Sequence, residues 1–222
     1  QVSAVGGLIA LDRTAAFQLM ISRPLAAAPL IGLLLGQPLV GVGVGALVEL
    51  IWINRLPLGG HIPPNECLGS ILITAGVILA GRSMGEPSQA LIVLGVLLVL
   101  PLARLASLLE GRLRRINSGL SQKAGRAAAG GQVGLIYPLN LSGLALSFFS
   151  STLFLLFLLP AVVQALIALD PFLTPPVIRA LELMFLILPL IGVSSALSTI
   201  TVRRYLLTYG LFLLATLVFL GI

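Results

Sequence analysis

The sequence predicts an all-α membrane protein whose helices are tilted, broken or re-entrant, and two observations lead to that prediction. The 222 residues are 58% hydrophobic and only 9% charged, with a mean hydropathy of +1.13, whereas a soluble domain carries about a quarter charged residues. Charge-free stretches recur, each near the ~20 residues that a helix needs to cross a bilayer. The apolar runs lack the alternation of a β-barrel, so we predict roughly seven to nine helical apolar segments in one domain over residues 1–222.

The first apolar elements are short and interrupted by proline and glycine. Residues 2–22 are apolar with a few polar side chains, which predicts a helix or half-helix. The stretches 23–36 and 38–54 are each marginal for a full crossing and meet at Gly36-Gln37-Pro38. They therefore form either a re-entrant hairpin or two tilted half-spans. Several prolines and glycines forbid a continuous helix over 55–66.

The later elements are longer. Residues 67–81 and 89–106 are apolar enough to cross the membrane in opposite directions. The stretch 132–169 is too long for one crossing, so we expect an amphipathic lead-in at 137–143 and then a span from about residue 144. The remaining elements are an external turn at 170–176 and spans over 177–201 and 206–222.

Most of the basic residues lie in one partly amphipathic segment at about 105–129. The cations in and next to it, set against the single carboxylate of Glu110, are Arg104, Arg112, Arg114, Arg115, Lys123 and Arg126. A basic segment between apolar runs stays in the cytoplasm, so we predict that side for this segment and for Arg203-Arg204. The net charge of +6 therefore reports orientation in the membrane and not affinity for nucleic acid.

The chain carries no signature of catalysis or of a metal centre. The single cysteine, Cys67, excludes an intramolecular disulfide framework and a multi-cysteine metal site. Walker, HExxH, nucleophile-elbow and CxxC motifs are absent. We therefore expect no cofactor, no bound metal and no catalytic residue of its own, so any chemistry is performed by a partner.

Glu49 is the strongest candidate for a binding residue. It lies in the apolar run GVGVGALVELIW, where a carboxylate costs several kcal/mol unless it is paired, protonated or hydrated. Such groups mark transport pathways; the alternative is a structural carboxylate held by a neighbouring helix end or by Arg55. Trp52 shares a helix face with Glu49, and a carboxylate beside an aromatic ring suits a sugar. The alternative for Trp52 is an anchor at the membrane interface.

The loop LGGHIPPNE and the first helix supply weaker candidates. Asn65 and Glu66 have hydrogen-bonding groups that suit a polyol, whereas His61 is a lone histidine, for which a solvated or hydrogen-bonded loop role is the common one. Asp12, Arg13 and Gln18 form a polar patch on the first helix, for which a place in the substrate site and a simple Asp12–Arg13 ion pair are the two interpretations. The predicted substrate-binding residues are Glu49, Asn65, Asp12, Gln18, Trp52, His61 and Glu66.

On these motifs the chain resembles the IIC subunit of mannose-type (mannose/fructose/sorbose) phosphotransferase systems. The residues in register with the family pattern are Arg23, Pro24, Gly32, Gly36, Gly45, Glu49, Gly59 and Pro64. The segments RINSGLSQKAGRAAAGG and PPVIRALELMFLILPLIGVSSALSTI resemble the family's cytoplasmic helix and late membrane helix. Gln37 and Asn65 stand where the family commonly has Asp. We also expect the chain to stop one apolar segment short of typical members.

The resemblance implies a multi-pass protein of the bacterial cytoplasmic (inner) membrane, in contact with lipid. It would bind a hexose together with a IID membrane subunit, while a soluble IIB, phosphorylated by IIA, transfers the phosphoryl group to the sugar. It also implies an elevator-like motion, a trimeric assembly and a basic segment at 105–126 that faces IIB. Two alternatives stay open: a transporter or channel for another solute, and a non-transporting scaffold or sensor with a IIC-like fold.

Overall fold

A computed structural model describes residues 1–16, 18–53, 64–198, 210–211 and 213–215. Within these ranges every regular element is helical, which confirms the all-α prediction. The helices are α1 (Val2–Leu11), α2 (Pro24–Leu34), α3 (Pro38–Trp52), α4 (Glu66–Met84), α5 (Gln89–Val99), α6 (Leu102–Ala129), α7 (Ile136–Leu169) and α8 (Pro175–Ser198). Short 3₁₀ turns precede α7 at Val133–Leu135 and α8 at Asp170–Phe172. Arg203-Arg204, most of the irregular stretch 55–66 and most of the predicted last span lie outside the described residues.

Length and apolarity identify the helices that suit a bilayer. In the described part of the chain three stretches qualify, namely Glu66–Met84, Val133–Phe172 and Pro175–Ala196. The pair α5 and α6 makes a fourth if these helices, bent by 44° at their junction, count as one span. The helices α1, α2 and α3 are apolar but shorter. This mixture of full-length and short apolar helices is the broken-helix architecture that the sequence predicts.

The helices α2 and α3 form an antiparallel hairpin. Pro24 and Pro38 each lie in the first turn of a helix, where a missing N–H costs nothing. Gly36 adopts a left-handed φ of 76° between them. A Cβ on Gly32 would lie 2.7 Å from the carbonyl oxygen of Gln37, and one on Gly45 would lie 2.7 Å from that of Pro24. The two backbones therefore touch along the whole length of the hairpin, as small residues allow inside a membrane.

The helix α4 occupies the centre of the molecule. It contacts α1, α2, α3, α5, α6 and α7, and 78% of its most apolar 18-residue window is buried, against 22% for the stretch that contains α7 and 11% for α8. Because α7 and α8 are the more apolar helices and yet the more exposed ones, their outer faces suit lipid or a membrane partner.

Two of the predicted spans have different boundaries in the structure. The predicted span 89–106 is broken into α5 and α6 at Leu100-Pro101, because Pro101 lacks an N–H and its ring clashes with the preceding turn. The amphipathic lead-in predicted at 137–143 is instead the first part of one continuous helix, α7, of 34 residues. Pro160 lies within α7 without ending it.

The first helix is shorter than predicted. A helix or half-helix was expected over 2–22, but α1 ends at Leu11. Asp12 terminates it because its carboxylate accepts hydrogen bonds from the backbone N–H groups of Leu19 and Ser22, at 2.6 and 3.0 Å. A side chain that bonds to its own backbone several residues on competes with the helix. Asp12 thereby closes the turn that leads the chain into α2.

The close approach inside the hairpin gives a test of its packing. A Cβ on Gly41 would collide with the Ala28 carbonyl and lie 2.7 Å from Cα of Pro29, which are backbone atoms that cannot swing aside. A Cβ on Gly43 would meet only side-chain atoms, at 3.9 Å. We expect Gly41→Ala to destabilise the protein by about 1–3 kcal/mol and Gly43→Ala to have little effect. Thermal unfolding of the detergent-solubilised variants checks this, and equal midpoints for the two would contradict the hairpin packing.

Candidate functional site

Charged and polar side chains from five parts of the chain meet around the first turn of α4. We call this group the charged network. Its members are Arg13, Arg23, Glu49, Asn65, Glu66, Glu110 and Arg114. Charges in an apolar surrounding are stable only when they are paired and hydrogen-bonded, so the contacts between these residues decide how the helices around α4 are placed.

Arg23 joins the hairpin to α4. It directly precedes α2, and its guanidinium lies 2.9 Å from Oε1 of Glu49 on α3 and 3.6 Å from Oε1 of Glu66 on α4. Glu49 also accepts a hydrogen bond from the Leu25 N–H, at 3.3 Å, in the first turn of α2. Glu49 is therefore held by a neighbouring helix end, as predicted by the interpretation of this residue as a structural carboxylate. Its charged partner is Arg23, whereas Arg55 lies outside the described residues.

Asn65 and Glu110 join α4 to α6. Asn65 caps α4, because its Oδ1 accepts a hydrogen bond from the Leu68 N–H at 3.0 Å. Its side-chain NH₂ donates to Oε2 of the buried Glu110 at 3.3 Å. The same carboxylate lies 3.3 Å from Arg13 and 2.6 Å from Arg114, the residue four positions further along α6. Glu110 is thus a carboxylate shared by two guanidinium groups and one carboxamide.

This arrangement favours a neutral side chain at position 65 over a carboxylate. An aspartate here would still cap α4, but its second oxygen would face the carboxylate of Glu110. Two carboxylates at this distance repel each other unless one is protonated. The asparagine, by contrast, uses its acceptor for the helix and its donor for Glu110. Position 65, where the family that the chain resembles commonly has Asp, therefore fits Asn because of Glu110.

Asp12 and Arg13 point to different partners. The ion pair between them that the sequence leaves as an alternative does not form: Asp12 accepts the two backbone hydrogen bonds of its turn, and Arg13 faces Glu110. Burial alone would raise the pKa of Asp12, but the hydrogen bonds from Ser22 and Leu19 outweigh burial and hold that pKa below its usual value. Asp12 orders the turn that ends beside Arg23, so it supports the charged network without belonging to it.

Two other predicted residues, Gln18 and Trp52, lie apart from the charged network. Gln18 is exposed, with a left-handed φ of 56°, in the turn that Asp12 closes. Trp52 is only 7% exposed, and its indole packs on Gly69, where an added Cβ would lie 3.3 Å from Cη2 of the ring. In this conformation α4 packs against the six-membered ring of Trp52, and little of the side chain is left for a sugar to stack on. His61 lies outside the described residues.

Sequence reasoning missed four members of the charged network as site residues: Arg13, Arg23, Glu110 and Arg114. Only one of their contacts has a local signal, because Glu110 and Arg114 have the i,i+4 spacing of a helical ion pair. The pairs Arg23–Glu49, Arg23–Glu66 and Arg13–Glu110 bring together distant parts of the chain. Spacing along the sequence does not predict such pairs.

The charged network supplies hydrogen-bond donors and acceptors but little space. A cavity of about 50 Å³ adjoins it, lined among others by Arg13, Asn65, Glu110, Ser147 and Ser151. Ligand pockets usually measure about 300–1,000 Å³, so this cavity has room for water or a single hydroxyl group. A ligand of sugar size would need the elements that line it, namely the turn after α1 and the helices α4, α6 and α7, to move apart. In the described part of the chain no group of three or more His, Cys, Asp or Glu side chains could hold a metal ion.

Comparison with protein families and curated proteins gives consistent matches. The family model "PTS system sorbose-specific IIC component" matches residues 2–221. The mannose-specific EIIC component of Escherichia coli (strain K12) is 31% identical over 124 residues, which are 56% of this chain and 44% of that protein. The fructose permease IIC component of Bacillus subtilis (strain 168) is 26% identical over 150 residues, which are 67% of this chain and 50% of that protein. These matches span about half the length of the curated relatives.

Solved structures show the same fold. A chain described as the structure of a membrane protein matches with a TM-score of 0.72 at 24% identity, covering 99% of this chain and 87% of the other. A chain from the cryo-EM structure of the mannose transporter ManYZ in complex with microcin E492 matches with a TM-score of 0.60 at 22% identity, covering 96% of this chain and 82% of the other. The described helices therefore share the fold of these two membrane-protein chains.

The pairing of Asn65 with Glu110 gives a test of the charged network. We expect Asn65→Asp to destabilise the protein by about 1–3 kcal/mol, because a buried carboxylate loses a donor and faces a second carboxylate. Adding Glu110→Gln to that variant restores a donor opposite the new carboxylate and should recover part of the loss. Unfolding midpoints of the wild type, both single variants and the double variant measure this coupling. If the stability changes of the two single variants simply added in the double variant, the contact between residues 65 and 110 would be ruled out.

Proposed function

The chain belongs to the family of sorbose-specific IIC components of phosphotransferase systems, and from this premise we propose that it is the sugar-translocating membrane subunit of a phosphoenolpyruvate-dependent, mannose-type system. It binds a hexose while a soluble IIB partner phosphorylates the sugar. The names of its relatives support this proposal, since they are mannose-, sorbose- and fructose-specific IIC components. The protein then contributes binding groups and a moving element, and its partners contribute the phosphoryl chemistry.

The observation that carries the proposal is the position of Glu49. Its carboxylate lies between two short apolar helices and is held by Arg23, whose side chain is 46% exposed. The side chains of Glu49 and Glu66 are 18% and 14% exposed. Ion pairs that remain within reach of water can exchange partners, and the hydroxyl groups of a sugar both donate and accept hydrogen bonds. We propose that a hexose replaces part of the contact between Arg23 and the carboxylates, with Asn65 beside it.

Partners complete the proposed activity. We propose a IID-like membrane subunit bound to this chain, a soluble IIB that docks on the basic helix α6, and a IIA that phosphorylates IIB. Arg112 and Arg115 are exposed on α6 and offer positive charge to an acidic partner surface. The assembly lies in the bacterial cytoplasmic membrane with α6 on the cytoplasmic side, and IIC–IID pairs form trimers.

The role of Glu49 is tested by removing its charge. We expect Glu49→Gln to weaken hexose binding by about tenfold to a hundredfold, the range for one charge-assisted hydrogen bond. Glu86→Gln is the matched control, because Glu86 is an exposed carboxylate in the turn between α4 and α5. Calorimetry on the chain co-purified with its IID-like partner measures binding, and IIB-dependent phosphorylation measures turnover.

The outcomes separate the candidate functions. Equal hexose binding by wild type and Glu49→Gln would place the sugar site elsewhere. A wild-type complex that binds no hexose but transports another solute would favour the alternative of a transporter or channel for that solute. A chain that is stable, binds no solute and is indifferent to Glu49→Gln would be a scaffold or sensor.

Docking of IIB is tested by reversing one charge on α6. We expect Arg115→Glu to slow the association of IIB several-fold at low salt, with a smaller effect at high salt, because rim charges act mainly on the association rate and are screened. Arg179→Glu is the control, since Arg179 is exposed on α8, away from α6. Stopped-flow or surface-plasmon measurements give the rates. Unchanged association by Arg115→Glu would contradict docking on this helix.

A further inference from the structure

A groove of about 580 Å³ runs between the last turns of α6 and the start of α7. The two walls of the groove differ in the kind of side chain that they present. The helix α6 contributes Lys123 and Arg126, whereas the short turn before α7 and the first part of α7 contribute Leu135, Pro138 and Leu139. Cations on one wall and mostly apolar side chains on the other, with Gln132 and Ser142 among them, form an amphipathic groove, which the proposed hexose transport does not use.

The two cations of the groove have no charged partner within the described part of the chain. Lys123 and Arg126 are both exposed, and no carboxylate of the described residues lies within 4.0 Å of either. On the same helix Arg114 is paired with Glu110 at 2.6 Å. The groove therefore offers two uncompensated positive charges, and a ligand with a phosphate group complements them.

The apolar wall continues into a helix that suits a bilayer. The stretch Val133–Phe172 has the highest mean hydropathy of the three candidate spans, 2.5, and only 22% of its most apolar window is buried. Next to the groove Leu135 is 49% exposed and Tyr137 is 74% exposed. Tyrosine beside basic residues at the end of an apolar span is typical of the membrane–water interface.

We propose that this groove binds an anionic phospholipid, with the phosphate between Lys123 and Arg126 and an acyl chain along Leu135 and Leu139. Basic pockets next to membrane helices on the cytoplasmic side take anionic headgroups in this way. Free phosphate would use the cations but leave the apolar wall exposed, and a neutral lipid would use the wall but leave the cations unpaired. An anionic phospholipid uses both walls. The proposal needs the membrane location of α7 and does not depend on the hexose.

The experiment compares lipids and matched variants. Native mass spectrometry of the protein, purified with its membrane partner where the two co-purify, is titrated with phosphatidylglycerol or with phosphatidylcholine of identical acyl chains. The groove variant is Lys123→Gln with Arg126→Gln. The control is Arg112→Gln with Arg115→Gln, which removes the same charge from the same helix outside the groove. We expect the groove variant to bind phosphatidylglycerol about tenfold or more weakly and the control to bind it as the wild type does.

A second arm tests the apolar wall and keeps the proposal testable if the groove variant folds poorly. Leu135→Gln should weaken binding of long-chain phosphatidylglycerol and leave binding of its dihexanoyl form unchanged. Inorganic phosphate should not displace the long-chain lipid at equal concentration. Equal losses in the groove variant and its control would overturn the proposal, as would equal affinity for phosphatidylcholine. Displacement by inorganic phosphate would instead make this a phosphate site.

Discussion

The arrangement of the helices depends on the free energy that unpaired polar and charged groups would cost at the first turn of α4. This helix is the most buried of the candidate spans, yet Asn65 and Glu66 bring polar groups to its beginning. In an apolar surrounding such groups must find partners. Arg23 supplies one for Glu66 from the hairpin, and Glu110 supplies one for Asn65 from α6, while Arg13, in the turn after α1, pairs with Glu110. The same contacts therefore fix where the hairpin, the first helix and the basic helix stand around α4.

The two helices of the α2–α3 hairpin approach each other closely. Its prolines lie where helices begin, and its glycines lie where the two backbones touch. Because close packing and not hydrophobic burial holds helices together in lipid, such a pair is stable as a unit. Its larger side chains, among them Ile31, Leu47 and Trp52, are buried in the core that it shares with the neighbouring helices. The hairpin meets α4 through apolar contacts and through Arg23, which pairs with Glu66 on α4 as well as with Glu49 within the hairpin. On the proposed function, exchange of these pairs for sugar hydroxyl groups would let the hairpin respond to the substrate.

Two residues lack the negative charge that the family pattern commonly has at their positions, and the contacts in the structure are consistent with both. Asn65 lacks the charge expected of its motif, but a second carboxylate beside Glu110 would be unfavourable, so the amide fits its surroundings. Gln37 lies exposed at the closed end of the hairpin, a helix length away from Arg23 and Glu49. Neither substitution removes a partner from the charged network. The proposed hexose site and the lipid groove also lie at different helices, so one protein has room for both.

The sequence by itself determined the fold class and most of the helices. Hydropathy and the positions of proline and glycine are local properties, so they predicted the helical membrane fold and the joint at Gly36-Gln37, whereas the binding role of Glu49 stays a prediction. Only the tertiary structure decided that Arg23 is the partner of Glu49, that Glu110 belongs with Asn65, and that Trp52 packs under α4. The physical reason is that ion pairs in an apolar surrounding form between whichever helices lie next to each other in the fold. Spacing along the chain predicts only pairs within one helix.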